Sequence, residues 1–206
     1  FVFFCLVVAV LQASGLDMWG EPVTNARGWE VKTLKEGVSS FEGGRNLMPI
    51  EKERGDGVRV LKVSAVTSGE YRPDESKPFS EGEVVEESHM VKQGDLLISR
   101  ANTSALVGAV CYGWQAEACE MLPDKVWRFV WTLPRRIEPL FMLHLARSCY
   151  FREQLIQRAT GTSGSMKNIG KTKMRNIPIP LPPLPLQRRF ATIVESVEQQ
   201  KTRLRA

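Results

Sequence analysis

The chain has 206 residues, 43% hydrophobic and 25% charged, a composition that can bury a core and excludes overall disorder. The length allows one large domain, or one domain with an appendage. The formal net charge of +5 is unevenly spread, because Phe1–Glu138 carries 16 Lys and Arg against 20 Asp and Glu, whereas Pro139–Ala206 carries 12 against 3. This basic C-terminal third predicts a polyanionic partner, most often nucleic acid, with a solvated helix surface as the alternative.

The first eleven residues, Phe1–Leu11, are wholly apolar. The run is too short to cross a bilayer, which needs about 20 residues, and it lacks the basic start of a signal peptide. We expect residues 1–27 to be a lead-in that the protein or a partner covers, with no membrane association. A trimmed signal, and with it a membrane-tethered or secreted interaction protein, is the alternative.

Between Trp29 and Leu133, short apolar runs are separated by turn residues, which predicts a β-rich body. In Val58–Val66, alternation places Val58, Val60, Lys62 and Ser64 on one side of a strand. Long polar loops are expected at Glu42–Gly57 and Ser68–Glu87. The strand candidates are Trp29–Leu34, Val58–Val66, Leu96–Ser99, Leu106–Tyr112 and Val126–Thr132.

The pattern changes after Pro139. From Leu140 to Ala159 apolar residues recur every three or four positions, which predicts one amphipathic helix with Pro139 at its first turn. The polar segment Gly161–Ser165 ends this helix. Four prolines in Ile177–Leu184 then force an extended path at a sheet edge.

The last segment has a heptad pattern, with a polar residue, Gln200, in its seam. The seam residues are spaced alternately four and three apart and comprise Leu186, Phe190, Ile193, Val197, Gln200 and Leu204. This spacing predicts a coiled-coil-type helix over residues 185–206. So few heptads are not stable alone, so we expect the helix to pair with a second copy and form a homodimer. A surface helix packed on its own domain is the alternative.

Three segments imitate catalytic motifs without meeting their requirements. Gly164–Thr172 resembles a phosphate-binding loop, but five residues separate its glycines where the motif has four. Pro73–Lys77 has the residue types of a metal-dependent nuclease core, but its carboxylates are adjacent in one polar loop. Gly161–Ser165 lacks the spacing of a nucleophile elbow. We therefore expect a non-catalytic chain, with a hydrolase of unrecognised site as an alternative.

The four cysteines form no pair with metal-ligand spacing, and His89 and His144 are isolated from them. This pattern is typical of free thiols in a reducing cytoplasm, and it predicts neither a metal nor a cofactor.

Three stretches together resemble the specificity (S) subunits of type I restriction-modification systems. Gly28–Leu34 is similar to the opening of the family's domain. Val91–Arg100, continued by Leu106–Gly108, resembles a strand pair of that domain. Ala159–Thr162, followed by Ile177–Leu184 with Gln187 and Ile193, resembles the junction between the recognition domain and the conserved helix.

The resemblance covers roughly residues 28–206 and implies an α+β fold. It implies a β-rich target recognition domain over residues 28–184, which includes a packed amphipathic helix. It also implies a conserved spacer helix over residues 185–206. It also implies sequence-specific recognition of double-stranded DNA. Family S subunits are not catalytic; they dock modification subunits, which bind S-adenosylmethionine and methylate adenine, and assemble with a nucleolytic subunit. Because S subunits usually carry two such domains, a stand-alone DNA-binding module uncoupled from any methyltransferase is the alternative.

A DNA-recognising surface needs cationic and amide side chains that contact phosphates and base edges. Arg can pair bidentately with guanine and Asn with adenine, so we expect Arg100 to contact a base and Lys171 a phosphate. The candidate DNA-binding residues are Arg45, Asn46, Arg100, Asn102, Thr103, Thr162, Ser163, Ser165, Lys167, Asn168, Lys171 and Lys173.

Overall fold

The computed structural model describes residues 15, 17–47, 57–116, 119–161 and 166–205, which leaves the apolar run Phe1–Leu11 outside the described residues. The strands are β1 (Val31–Thr33), β2 (Val38–Glu42), β3 (Arg59–Leu61), β4 (Ser76–Lys77), β5 (Leu96–Ser99), β6 (Ala101–Asn102), β7 (Val110–Tyr112), β8 (Glu120–Met121), β9 (Val126–Trp131), β10 (Lys167–Asn168) and β11 (Pro178–Pro180). The main helices are α1 (Ser64–Thr67), α2 (Pro139–Arg147), α3 (Cys149–Arg158), α4 (Lys171–Arg175) and α5 (Leu184–Arg205). The fold is α+β, as expected.

A four-stranded antiparallel sheet in the order β2-β9-β5-β7 forms the centre of the body. All four residues of β5 are buried. Leu96 and Ile98 belong to the main hydrophobic core, whereas Leu97 belongs to a second cluster with Leu61 and Cys111. Because successive side chains of a strand point to opposite faces, β5 has apolar contacts on both faces of the sheet. Its sequence therefore does not alternate between apolar and polar residues.

The second sheet, β4-β3-β8, corrects the prediction for Val58–Val66. The strand spans only Arg59–Leu61, and Val60 and Leu61 are both buried, in different clusters. The chain then turns: the Ala65 N–H donates to the Lys62 carbonyl, and α1 begins at Ser64. The predicted one-sided alternation was therefore wrong, because this short strand is covered on both faces.

The helix predicted over Leu140–Ala159 is in fact two helices, α2 and α3. Ser148 between them has extended backbone angles, and its Oγ accepts a hydrogen bond from the Phe151 N–H at 3.3 Å. This is an N-cap interaction, which starts a new helix at Cys149. The periodicity survives the break because both helices bury their apolar residues in the main core, including Phe141 and Phe151.

The proline-rich segment pairs antiparallel with β1, with Ile179 opposite Lys32, which agrees with the expected extended path. It leads into α5, which packs across α2. Phe190 of α5 is fully buried, and its ring lies edge-on to that of Trp19 with centroids 4.1 Å apart. No helix within the described ranges is both long and apolar enough to cross a membrane.

Candidate nucleic-acid interface

Three segments that are far apart in the sequence meet beside the central sheet. β6 pairs antiparallel with β10, with Asn102 opposite Lys167 and Ala101 opposite Asn168. The backbone of Asn168 also exchanges hydrogen bonds with Thr160, at 2.9 and 2.7 Å. These pairings bring together most of the predicted DNA-binding residues after position 99 that the structure describes.

Arg100 holds these segments together. Its Nη1 donates to the Asn168 Oδ1 at 2.9 Å. Its Nε donates to the Asp124 carbonyl at 2.7 Å, and its Nη2 donates to the Asp124 carboxylate at 3.3 Å. Three of the five N–H donors of a guanidinium are therefore bound to the protein. The structure thus places Arg100 between the β8–β9 turn and β10.

Trp127 of β9 forms the floor of the site. The Arg100 Cζ lies 5.3 Å from the indole centroid, and the Lys171 Nζ lies 5.6 Å from it. Each distance is within the range of a cation–π contact, which contributes about 0.5–1 kcal/mol at an exposed site. A Cβ at position 43 would come within 2.5 Å of the indole, so Gly43 allows the backbone to pass the edge of this ring.

A cleft of about 370 Å³ opens above this floor. Its lining includes Arg100, Trp127, Thr160, Asn168, Lys171 and Lys173. Among the described lining residues none carries a carboxylate, and within the same part of the chain neither lysine forms an ion pair. The cleft therefore presents positive charge and hydrogen-bond donors to solvent, an arrangement suited to an anionic ligand.

Asn102 and Lys167 lie on the other face of the β6–β10 pair, because neighbouring residues of a strand point in opposite directions. The Lys167 ammonium donates to the Gly161 carbonyl at 3.1 Å. The Asn102 Oδ1 accepts from the Thr103 N–H at 2.8 Å, and the Thr103 carbonyl accepts from Val107. These three predicted residues therefore flank the cleft and do not line it.

The structure does not bring the other predicted residues into the cleft. The Arg45 guanidinium lies 3.7 Å from the Glu86 carboxylate and donates to the Val84 carbonyl, while Asn46 is exposed beside it. Thr162, Ser163 and Ser165 lie outside the described residues, between Gly161 and Met166 in the sequence.

Two residues of the site, Asp124 and Trp127, were missed by the sequence analysis. Trp127 belongs to an apolar strand and is 6% exposed, so its pattern indicates only a core position. Asp124 follows Pro123 in a turn that looks like any polar loop.

A second polar cluster supports the sheet away from the cleft. Arg128 is 11% exposed and forms ion pairs with Glu42 at 2.7 Å and Asp95 at 3.0 Å. Burial raises the pKa of Asp95, and the hydrogen bond from Lys92 and the charge of Arg128 oppose this rise. The described residues contain no group of three His, Cys, Asp or Glu side chains that could hold a metal ion.

The helix-pairing residues are divided between the core and solvent. Phe190 is buried, Leu186, Ile193 and Val197 are half-buried, and Gln200 and Leu204 are exposed. The fully buried side of α5 lies one position away and comprises Gln187, Phe190, Ala191, Val194 and Lys201. Within it, the Gln187 amide accepts from the Glu138 N–H and donates to the Pro182 carbonyl. Phe190 is therefore not available to a second helix.

The comparisons with known proteins agree with this fold. Residues 27–206 match the family model described as "Type I restriction modification DNA specificity domain". The specificity subunit of the Escherichia coli type I restriction enzyme EcoEI is 28% identical over 185 residues, covering 87% of this chain and 31% of that protein. The HsdS subunit from Thermoanaerobacter tengcongensis has a crystal structure that is 20% identical, with a TM-score of 0.58, over 96% of this chain and 44% of that chain.

The chain thus spans less than half the length of either relative. Because the HsdS crystal structure is only 20% identical in sequence, its likeness to this chain shows the fold alone. The family model covers nearly the whole chain, which confirms the resemblance seen in the sequence. This chain belongs to the family of type I restriction modification DNA specificity domains.

Proposed function

We propose that this chain recognises a sequence in double-stranded DNA, as part of a specificity subunit of a type I restriction-modification system. The observation that carries the proposal is the cleft, where Arg100, Asn168 and Lys171 converge above Trp127 with no carboxylate among the described lining residues. Such a surface is complementary to the phosphates and base edges of DNA.

Within this proposal the lysines and the amides have separate tasks. The ammonium groups of Lys171 and Lys173 neutralise phosphates, which supplies most of the affinity and sets the register. Asn168 contacts a base edge. Asn102, Thr103 and Lys167 extend the surface beyond the cleft. Thr162, Ser163 and Ser165 stay candidates for DNA contact from their residue types alone, and Arg45 with Asn46 forms a separate contact region.

We assign no catalysis to this chain and propose that it directs partner subunits. The EcoEI relative is a specificity subunit of a type I restriction enzyme. By that likeness, the partners are modification (methyltransferase) subunits in the cytoplasm, where the DNA is. We also propose that the exposed end of α5, including Gln200 and Leu204, pairs with a second copy of the chain.

An electrophoretic mobility shift assay tests DNA binding by the purified chain on random-sequence and selected duplexes. We expect binding at 50 mM salt and a loss of about 10-fold or more at 200 mM, since counterions are released when phosphates are neutralised. Lys171→Ala weakens binding to both duplexes. Lys77→Ala, which removes an exposed charge on the second sheet, is the matched control and has little effect. Absence of any shift at low salt rules out the proposal.

A further inference from the structure

The side-chain amide of Asn168 has a defined orientation. Its contact with Arg100 is 2.9 Å long, and a guanidinium has donors but no acceptor. The amide atom that faces Arg100 is therefore the oxygen, and the NH₂ group is turned away from it. Because Asn168 is exposed at the cleft, this NH₂ group is the part of the amide that is free to meet a ligand.

Donors predominate among the other polar side chains of the cleft. Lys171 and Lys173 offer ammonium groups, which have no acceptor. The Thr160 hydroxyl donates its proton to the Asn168 carbonyl at 3.3 Å. The Asp124 carboxylate is paired with Arg100. A ligand that presents hydrogen-bond acceptors is therefore the best complement to the cleft.

The four bases differ in this respect at their major-groove edges. Guanine presents two adjacent acceptors, N7 and O6, whereas adenine presents one acceptor and the N6 amino donor. Thymine presents one acceptor beside a methyl group, and cytosine presents a donor. An asparagine that pairs with adenine uses its oxygen to accept from N6. In Asn168 one of the two lone pairs of that oxygen is occupied by Arg100, which favours recognition through the NH₂ group.

We propose that Asn168 recognises a guanine as a hydrogen-bond donor, and that Arg100 is a positioning residue that holds the amide in this orientation. The inference rests on the DNA recognition proposed above and names the base at this cleft. It differs from the expectation that the Arg100 guanidinium contacts a base.

The test begins with selection of bound sequences from a random duplex library by the wild-type chain. Each guanine of the selected site is then replaced by 7-deazaguanine, which lacks the N7 acceptor, and each adenine by purine, which lacks the N6 amino group. At one guanine we expect the 7-deaza change to weaken wild-type binding about five- to tenfold, the effect of one hydrogen bond. In Asn168→Ala the same base change has no further effect.

Two more variants separate this role from a structural one. Asn168→Asp retains an acceptor for Arg100 but presents no hydrogen-bond donor to the base. The preferred base at that position should then change from guanine to cytosine, because a carboxylate accepts a hydrogen bond from the N4 amino group of cytosine. Arg100→Ala frees the amide to rotate, so the preference for guanine over adenine falls at that position alone, and Arg100→Lys restores part of it.

The outcomes distinguish this inference from the proposed function. Suppose that the chain selects a sequence, but that the Asn168 variants change its sensitivity to loss of an adenine N6 amino group, or to no base change at all. The proposed function then stands and the guanine assignment is overturned. Unchanged base preference in Arg100→Ala overturns the positioning role. A chain that binds no DNA at low salt overturns both proposals.

Discussion

The imidazole of His144 on α2 lies edge-on to the ring of Phe190 on α5, with centroids 4.9 Å apart. This contact is part of the packing between α2 and α5. Burial lowers the pKa of His144 to about 3, and the charge of Arg147 adds to that shift. At neutral pH the imidazole is therefore uncharged, and the helix contact depends on its staying so.

Acid should weaken the folded state through this residue. In the unfolded chain His144 titrates near pH 6.5, so between about 6.5 and 3 the unfolded state binds a proton that the folded state does not. The free energy of unfolding then falls as the pH drops, by about 1–2 kcal/mol between pH 7 and pH 5. Urea unfolding at both pH values measures this, and His144→Gln should lose that part of the dependence. His89→Gln is the control, and an equal change in both variants would contradict the assignment.

Arg100→Ala and Lys171→Ala should differ in kind. Loss of Arg100, which holds the Asn168 amide, is expected to cost about 0.5–1.5 kcal/mol on the selected sequence, the contribution of one hydrogen bond, and to relax preference at one position. Loss of Lys171 removes a cation that carries no ion pair among the described residues, so it weakens all sequences alike and lowers the salt dependence. Binding isotherms on selected and scrambled duplexes compare the two. Uniform losses in both variants would show that Arg100 does not influence base preference.

Local patterns predicted several of the elements of this chain but not others, such as β2, β8 and α1. The apolar runs around Leu97 and Phe129 predict strands, and the prolines near Ile179 predict an extended path. They failed where tertiary contacts decide. The helix break at Ser148 depends on one capping hydrogen bond, which the apolar periodicity does not reveal. The apolar pattern of α5 is compatible with burial of either of two neighbouring rows of residues along the helix. Gln187 looks like a surface residue in the sequence, but it is buried because three backbone groups satisfy the hydrogen bonds of its amide.

The cleft could be predicted only as a set of residue types. Arg100 and Asn168 are 68 residues apart, and nothing local predicts that they are hydrogen-bonded. Their meeting depends on the β6–β10 pairing, which involves two residues on each strand. The sequence therefore indicated which side chains could contact DNA, but not which of their atoms remain free to do so.

Arg128 should be among the most sensitive positions for stability. It is 11% exposed and contacts two carboxylates and the Met90 carbonyl. Arg128→Ala leaves these groups without their cation, a change that costs about 3–5 kcal/mol in buried pairs. Arg136→Ala is the matched control, because its pair with Glu36 is exposed and should contribute less than about 1 kcal/mol. Urea unfolding of both variants gives the comparison, and similar losses would show that the Arg128 network adds nothing beyond a surface pair.

The last prediction concerns self-association through the end of α5. Leu204 is 71% exposed and Gln200 is exposed beside it, whereas Ile193 and Val197 are half-buried against the chain's own core. A two-fold pairing would bury Leu204 of both copies, and a polar seam residue such as Gln200 helps to set the register of paired helices. The DNA site of such a dimer would be an inverted repeat with a fixed gap, since each copy contacts the same half-site.

Leu204→Asp is the sharpest test, because this side chain supports no contact within its own core. Burial of a leucine contributes about 1.5–3 kcal/mol, so the dissociation constant should rise more than about tenfold. Thr192→Asp adds the same charge to an exposed position of α5 away from the seam and serves as the control. The double variant Ile193→Asp/Val197→Asp is less informative, since it also disturbs packing on the domain. Light scattering from 1 to 100 µM follows the state of each protein. If the wild-type chain is monomeric throughout this range, the heptad residues of α5 pack only on their own domain. A DNA site in the form of an inverted repeat is then not expected.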